Sequence, residues 1–247
     1  MCLLIAFYRI VPDYPMIIGA NREELYTRPS LPPHIISTNP VVFGGIDQVA
    51  GGTWLGINKF GLLVGITNRF GKSPNPSYPS RGLLCLDLLQ KNTSGDTKED
   101  LEKLVQKYTY NPFHLFYSDS HSAHISLYEN QLETHSLNPG IHIITTQGFN
   151  DNSISKINRV HSLLRDISKE FNHHFITQLK NILRDHEYTP PTKDTLCSHG
   201  EKAGTVSSAI LAIHSSFPKY SFYYYSDGFP CKNPYKDYSH LFTAIVS

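Results

Sequence analysis

Short apolar runs separated by Gly and Pro dominate the first 70 residues, and this pattern predicts a succession of β-strands. The predicted strands cover residues 2–9, 15–20, 40–44, 53–58 and 61–67. Apolar residues then recur every three to four positions, which predicts helices over 81–90 and 97–107. Later runs predict strands at 113–118, 122–128, 132–136 and 141–145, helices at 155–171 and 175–185, and strands at 205–213, 221–225 and 241–246. Pro-rich and polar stretches predict loops over 69–80 and 188–204.

Pairs of helices thus alternate with groups of strands, and this order predicts a layered α+β body built on antiparallel sheets. A chain of 247 residues is long enough to bury a large core without needing disulfide bonds or metals for stability. We therefore expect one domain over 1–247. No apolar run approaches the roughly 20 residues that a membrane-spanning helix needs.

Charge and cysteine usage narrow the choice of partners and compartment. The 22 basic and 21 acidic residues give a formal net charge of +1, which offers no electrostatic footprint for nucleic acid. The four cysteines are scattered, with no C-x-x-C spacing and no signal-like segment before them. We therefore expect reduced thiols and a cytoplasmic location.

Cys2 directly follows Met1 and begins the first predicted strand. A methionine ahead of a small residue is normally removed, and Cys2 would then carry a thiol nucleophile and a free α-amine in one place. Both groups titrate near neutrality, and a free amine can take the proton from an adjacent nucleophile. The alternative is that Cys2 is only a small apolar residue at the start of a strand.

Five ordered motifs within the first 70 residues resemble the NRDE family, also called the transport and Golgi organization protein 2 family. They are the Met-Cys start, the strand ending in Ala-Asn-Arg-Glu-Glu (20–24), the Arg28-Pro29 pair, the Gly-Gly-Thr-Trp-Leu-Gly block (51–56) and the strand ending in Thr67-Asn68. The resemblance implies a four-layer αββα sandwich, the fold of N-terminal-nucleophile hydrolases.

Arg22 stands at the end of the strand expected to pair with the first strand, so it would lie beside Cys2 and favour its thiolate. Glu23 and Glu24 would accept from the α-amine or hold Arg22. The resemblance implies that Asn68 and, more weakly matched, Asn150 would donate to an oxyanion. The alternatives are a solvated charged turn at 22–24 and ordinary strand-ending asparagines. Trp54 is expected to line a core or a ligand pocket.

Two functions from different classes remain open. One is a cysteine amidohydrolase that needs no cofactor and cleaves a small linear amide. The other is a non-enzymatic carrier of haem or lipid on the same fold, which the family resemblance extends to this chain. The histidine pairs His121/His124 and His173/His174 lack partners at zinc-site spacing, so the sequence predicts no metal site.

Overall fold

The computed structural model describes residues 2–69, 73–168, 170–186 and 195–245. The strands are β1 (Leu3–Val11), β2 (Tyr14–Leu25), β3 (Ser30–Thr38), β4 (Val41–Asp47), β5 (Leu55–Asn58), β6 (Leu63–Asn68), β7 (Phe113–Ser118), β8 (Ala123–Tyr128), β9 (Leu132–Ser136), β10 (Gly140–Thr145), β11 (Ala203–Ile213), β12 (Phe222–Asp227) and β13 (Lys236–Asp237). The helices are α1 (Arg81–Leu88), α2 (Ser94–Lys107), α3 (Ser155–Leu164) and α4 (His173–Leu183), followed by a 3-10 helix at Ser239–Ile245.

The chain divides into two compact units. The first comprises Met1–Thr27 with Pro139–His240, and the second comprises Arg28–Asn138 with Leu241–Ser247. The expectation of a single domain over 1–247 stays a prediction.

The first unit is built on a six-stranded antiparallel sheet in the order β10-β1-β2-β11-β12-β13. Because side chains alternate along a strand, Leu3, Ile5 and Phe7 of β1 share one face, and they form a buried cluster with α3 and α4. Gly19 of β2 lies under α4, where an added Cβ would come within 2.9 Å of Leu179. The side chains that alternate with Leu3, Ile5 and Phe7 along β1 therefore point to the opposite face of the sheet.

The second unit is a seven-stranded antiparallel meander in chain order, from β3 to β9. Helices α1 and α2 pack on it through apolar residues that include Leu84, Leu88 and Leu101. Thr93 and Asp96 form a capping box at the start of α2, in which each side chain accepts a hydrogen bond from the main-chain N–H of the other residue. At Gly52 a Cβ would overlap the backbone of α1, so this glycine of the Gly-Gly-Thr-Trp-Leu-Gly block permits close approach of the helix.

Several predicted boundaries were wrong. The strand predicted at 241–246 is replaced by the 3-10 helix Ser239–Ile245, while residue 246 lies outside the described residues. Strand β3 was not predicted because it contains Pro32 and Pro33; it lies at the edge of its sheet, where a missing N–H is tolerated. Helix α3 ends at Leu164 rather than near 171.

Within the two predicted loops, residues 70–72 and 188–194 lie outside the described residues. Among the helices that the structure describes, none has the length and apolar character to cross a bilayer.

Candidate active site

Cys2 is half-buried immediately before β1, at the end of the sheet where β2 reaches its polar residues. Strands β1 and β2 pair with Leu3 opposite Asn21, and continuing this antiparallel register by one residue places Cys2 opposite Arg22. The Cys2 thiol donates a long hydrogen bond, 3.9 Å, to the main-chain oxygen of Glu23. The structure thus places Cys2 beside Arg22 and beside the main chain of Glu23. The catalytic roles expected for these three residues stay predictions.

Arg22 is buried, with 7% of its surface exposed, and it pairs across the sheet with Ser207 of β11. Tyr225 of β12 pairs with the residue two positions beyond Ser207, so it lies on the same face, away from the helices. Burial raises the pKa of Tyr225 to about 12, and the positive charge of Arg22 acts against this rise. Sequence reasoning missed Ser207 and Tyr225 because only the order of strands in the sheet brings them to Arg22.

The electrostatic environment of Cys2 favours the protonated thiol. Burial is the main cause that raises the pKa of Cys2, and the negative charge of Glu23 adds to it. The positive charge of Arg22 lowers the pKa, as the sequence analysis expected, but it does not outweigh burial. Nucleophilic attack by Cys2 therefore requires a nearby group that accepts its proton.

Glu23 points to the opposite face of the sheet, where it meets Lys156 in the first turn of α3. The Lys156 Nζ lies 2.7 Å from the Glu23 Oε1, and the two side chains are 3% and 1% exposed. Burial raises the pKa of the Glu23 carboxyl, and the charge of Lys156 opposes this rise. The ion pair fixes the strand end whose main-chain oxygen receives the Cys2 thiol.

Lys156 was not predicted, although the sequence carries a signal for it. Lys156, Val160 and Leu164 follow one another at intervals of four and are all buried. A lysine at a core-facing position of an amphipathic helix needs a buried partner, since an unpaired charge is costly there.

Asn21, the residue before Arg22, has a structural role. Its Nδ2 donates to the carbonyl oxygens of Leu183 and Leu196, each at 2.9 Å, and the side chain is buried. These bonds tie the end of α4 and the segment that enters β11 to strand β2.

Asn150 is held in a turn rather than at the end of β1. Its Oδ1 accepts from the N–H of Ile143 at 2.8 Å, its Nδ2 lies 3.0 Å from His142 Nδ1, and its φ of 50° is in the left-handed region. Ile143 pairs with Ile5, three residues along β1 from Cys2. The oxyanion role of Asn150 stays a prediction, and the contacts explain the residue as a turn asparagine.

Asn68 and Trp54 belong to the second unit. Asn68 is the exposed last residue of β6 and pairs with Phe113 of β7. Trp54 is half-buried, and its indole ring covers Gly45, where an added Cβ would come within 2.5 Å of it. The oxyanion role of Asn68 and the pocket role of Trp54 stay predictions.

The sequence of the chain was compared with known families and proteins. The model of the family described as Transport and Golgi organisation 2 matches residues 1–224. The Transport and Golgi organization 2 homolog of Mus musculus is 32% identical over 129 residues, which cover 48% of this chain and 45% of the relative. The homolog of Homo sapiens is 32% identical over 133 residues, covering 50% and 47%. The match spans about half the length of these curated relatives.

Solved structures with similar folds include an acylase, an acid amidase and a bile acid hydrolase. Penicillin V acylase from Agrobacterium tumefaciens aligns with a TM-score of 0.56 and 12% identity over 92% of this chain and 83% of its own. The Caenorhabditis elegans ortholog of N-acylethanolamine-hydrolyzing acid amidase aligns with a TM-score of 0.58 and 10% identity, over 89% and 94%. A mutant conjugated bile acid hydrolase from Clostridium perfringens aligns with a TM-score of 0.56 and 13% identity, over 96% of both chains. This likeness confirms the predicted α+β sandwich fold of N-terminal-nucleophile hydrolase type.

Proposed function

The chain belongs to the Transport and Golgi organisation 2 family, and from that premise we propose that it is an N-terminal-nucleophile cysteine amidohydrolase acting on a small linear amide. The observation that carries the proposal is the position of Cys2 at the start of β1, with buried Arg22 in register beside it. The similar structures support it, since they include an acylase, a hydrolase and an acid amidase.

The proposed reaction begins with removal of Met1, which frees the α-amine of Cys2. That amine accepts the proton of the Cys2 thiol. An acceptor is required because burial raises the pKa of Cys2. The sulfur adds to the amide carbonyl of the substrate and the C–N bond breaks. The substrate's amine leaves with a proton that it receives from the α-ammonium group of Cys2. Water then cleaves the thioester, releasing the acid and restoring the thiol.

Arg22 supports this chemistry from the neighbouring strand. Its charge lowers the pKa of Cys2 and so favours the thiolate that attacks. The Glu23–Lys156 ion pair holds the main chain of β2 against Cys2 without placing a second cation on the same face. We assign Arg22 an electrostatic role at Cys2 and Lys156 a positioning role through Glu23.

Intact mass and acyl trapping test the proposal together. Protein from the native host should weigh one Met less than the encoded chain. Incubation with fatty-acyl amides of 7-amino-4-methylcoumarin should release the fluorescent amine and leave an acyl group on Cys2, seen by peptide mass spectrometry. Cys2→Ala should abolish both signals, whereas Cys85→Ala, which changes a buried thiol of the second unit, should keep them.

The carrier hypothesis gives the opposite result in the same experiment. A haem carrier should show a saturable shift of the Soret band on titration with haemin and no amine release, and a lipid carrier should bind a fluorescent fatty acid without cleaving amides. Retention of Met1 in the native host, together with absence of turnover and of acyl-Cys2, would refute the amidohydrolase. Saturable haemin binding unaffected by Cys2→Ser would then favour the carrier.

A further inference from the structure

Two cysteines and two histidines of the first unit converge away from the Cys2 site. His186 follows α4, Cys197 and His199 precede β11, and Cys231 lies between β12 and β13. One nitrogen or sulfur from each side chain lies within 4.8 Å of all the others. Cys197 is buried and the other three are half-buried.

The three distances from His199 to the other ligand atoms match tetrahedral coordination. The His199 Nε2 lies 3.2 Å from His186 Nε2, 3.5 Å from the Cys197 Sγ and 3.4 Å from the Cys231 Sγ. A tetrahedral zinc ion with ordinary bond lengths sets its ligand atoms about 3.3 Å apart for two nitrogens and about 3.5 Å apart for nitrogen and sulfur. We propose that His186, Cys197, His199 and Cys231 bind one zinc ion.

Hydrogen bonds to main-chain carbonyls hold the segments that carry these ligands. The N–H of Cys197 donates to the carbonyl of Asp185 at 3.1 Å, which sets Cys197 beside His186. The Arg184 Nε donates to the carbonyl of Pro230 at 2.9 Å, which sets Cys231 beside the end of α4. These bonds do not depend on a metal, so the ligand-bearing segments are already in place to receive one.

An aromatic contact supports His199. The ring of Phe229 stacks on His199 with centroids 4.1 Å apart and planes within 7° of parallel. This stacking restrains the plane of the imidazole, whose Nε2 faces the other three ligand atoms. Support of this kind around the ligands is typical of metal sites.

The donor set selects the metal and its role. Two thiolates and two imidazoles in a tetrahedral arrangement suit zinc, and they exclude magnesium and calcium, which prefer oxygen ligands. Four protein ligands leave no open position for substrate, so the zinc is structural. It would fasten the end of α4, the segment before β11 and the β12–β13 connection to one another.

The sequence analysis missed this site and predicted no metal. Cys197 and His199 are separated by one residue, His186 lies 11 positions before Cys197, and Cys231 lies 32 positions after His199. Zinc sites are recognised in sequence by two closely spaced ligand pairs, and here only one such pair exists. The fold supplies the other two ligands from separate elements.

Metal analysis tests the proposal on the intact protein. Purified without chelators after growth with zinc, the chain should contain about one zinc per molecule by elemental mass spectrometry. Replacing zinc with Co²⁺ should give the visible ligand-field bands of tetrahedral cobalt and a thiolate-to-cobalt charge-transfer band. Neither readout involves Cys2, so Cys2→Ala should retain both and separate this proposal from the amidohydrolase.

Matched variants locate the ion. Cys231→Ser and His186→Gln should each lower bound zinc to about a tenth of an equivalent or less, because loss of one ligand opens the site. Cys85→Ala and His121→Gln change a cysteine and a histidine outside the cluster and should keep the full equivalent. Because cobalt binding by the wild-type chain is measured directly, the test does not depend on the variants folding.

Three results would overturn the proposal. The first is a wild-type chain that holds neither zinc nor cobalt. The second is a Cys197–Cys231 disulfide in freshly purified protein, found by peptide mass spectrometry. The third is zinc that persists at one equivalent in both ligand variants, or copper or iron in its place.

Discussion

Replacing Lys156 with methionine removes the cation that faces Glu23 and should strongly destabilise the first unit. At the observed separation of 2.7 Å, two unit charges attract by about 6 kcal/mol at an effective dielectric constant of about 20. Most of this attraction offsets the cost of taking both charges out of water, so the pair adds little net stability. Losing one partner is different, because the desolvation cost of the remaining charge is no longer offset. We expect Lys156→Met to lower the free energy of unfolding by about 3–5 kcal/mol.

A double-mutant cycle isolates this interaction. Glu23→Gln alone should also destabilise the protein, because it leaves Lys156 buried without that carboxylate. The double variant Glu23→Gln/Lys156→Met should lose much less than the sum of the two single changes, with a coupling energy of at least about 2 kcal/mol. Lys156→Arg keeps the positive charge and serves as the control. The assay is urea denaturation, with unfolding monitored by circular dichroism.

The pH dependence gives an independent check. Burial raises the pKa of Glu23 and Lys156 opposes the rise, so Lys156→Met should raise that pKa further. A carboxyl whose pKa is higher in the folded than in the unfolded state contributes stability below its unfolded pKa, and this contribution is lost as pH rises through the folded pKa. The deficit of Lys156→Met relative to the double variant should therefore be larger at about pH 8 than at about pH 5. A coupling energy below about 0.5 kcal/mol, or a deficit independent of pH, would refute the reasoning.

Three further predictions follow from the structure. Gly52→Ala should cost about 1–3 kcal/mol in chemical denaturation because its Cβ overlaps the backbone of α1, whereas Gly95→Ala, with its nearest atom at 3.6 Å, should cost nothing; equal effects would contradict this. Asn21→Ala should cost about 2–4 kcal/mol in the same assay, since two buried carbonyls lose their donor, and a neutral result would show that water replaces it. Arg22→Leu should slow alkylation of Cys2 by iodoacetamide near neutral pH, measured by peptide mass spectrometry, because it removes one of the positive charges that lower the pKa of Cys2. Arg22→Lys should restore part of the rate, and an unchanged rate in Arg22→Leu would remove the proposed pairing.

Local pattern was sufficient for most of the fold. The apolar runs and the helical spacing predicted the order of strands and helices, which the structure confirms from β1 to β12 apart from β3. The sequence does not predict β3, because its two prolines argue against a strand unless its position at the edge of the sheet is known. The final apolar run, around Leu241, was read as a strand because periodicity in so short a segment does not separate strand from 3-10 helix.

Part of the candidate site was also available from sequence. Cys2 and Arg22 lie at the ends of two consecutive apolar runs joined by a short turn, and such runs form an antiparallel hairpin whose register brings its two outer ends together. The sequence could not assign Glu23 its partner, since Lys156 lies 133 residues away and belongs to a helix on the other face of the sheet.

Local sequence pattern predicts most of the elements and places Arg22 beside Cys2, because these features depend on neighbours within about 20 residues of the chain. Which polar groups meet across the sheet, and which cysteines and histidines meet beside α4, depends on the tertiary structure. The Glu23–Lys156 pair and the cluster of His186, Cys197, His199 and Cys231 both join segments far apart in the chain. Side chains from such segments meet only after the strands have paired and the helices have packed, and residue spacing carries no record of that geometry.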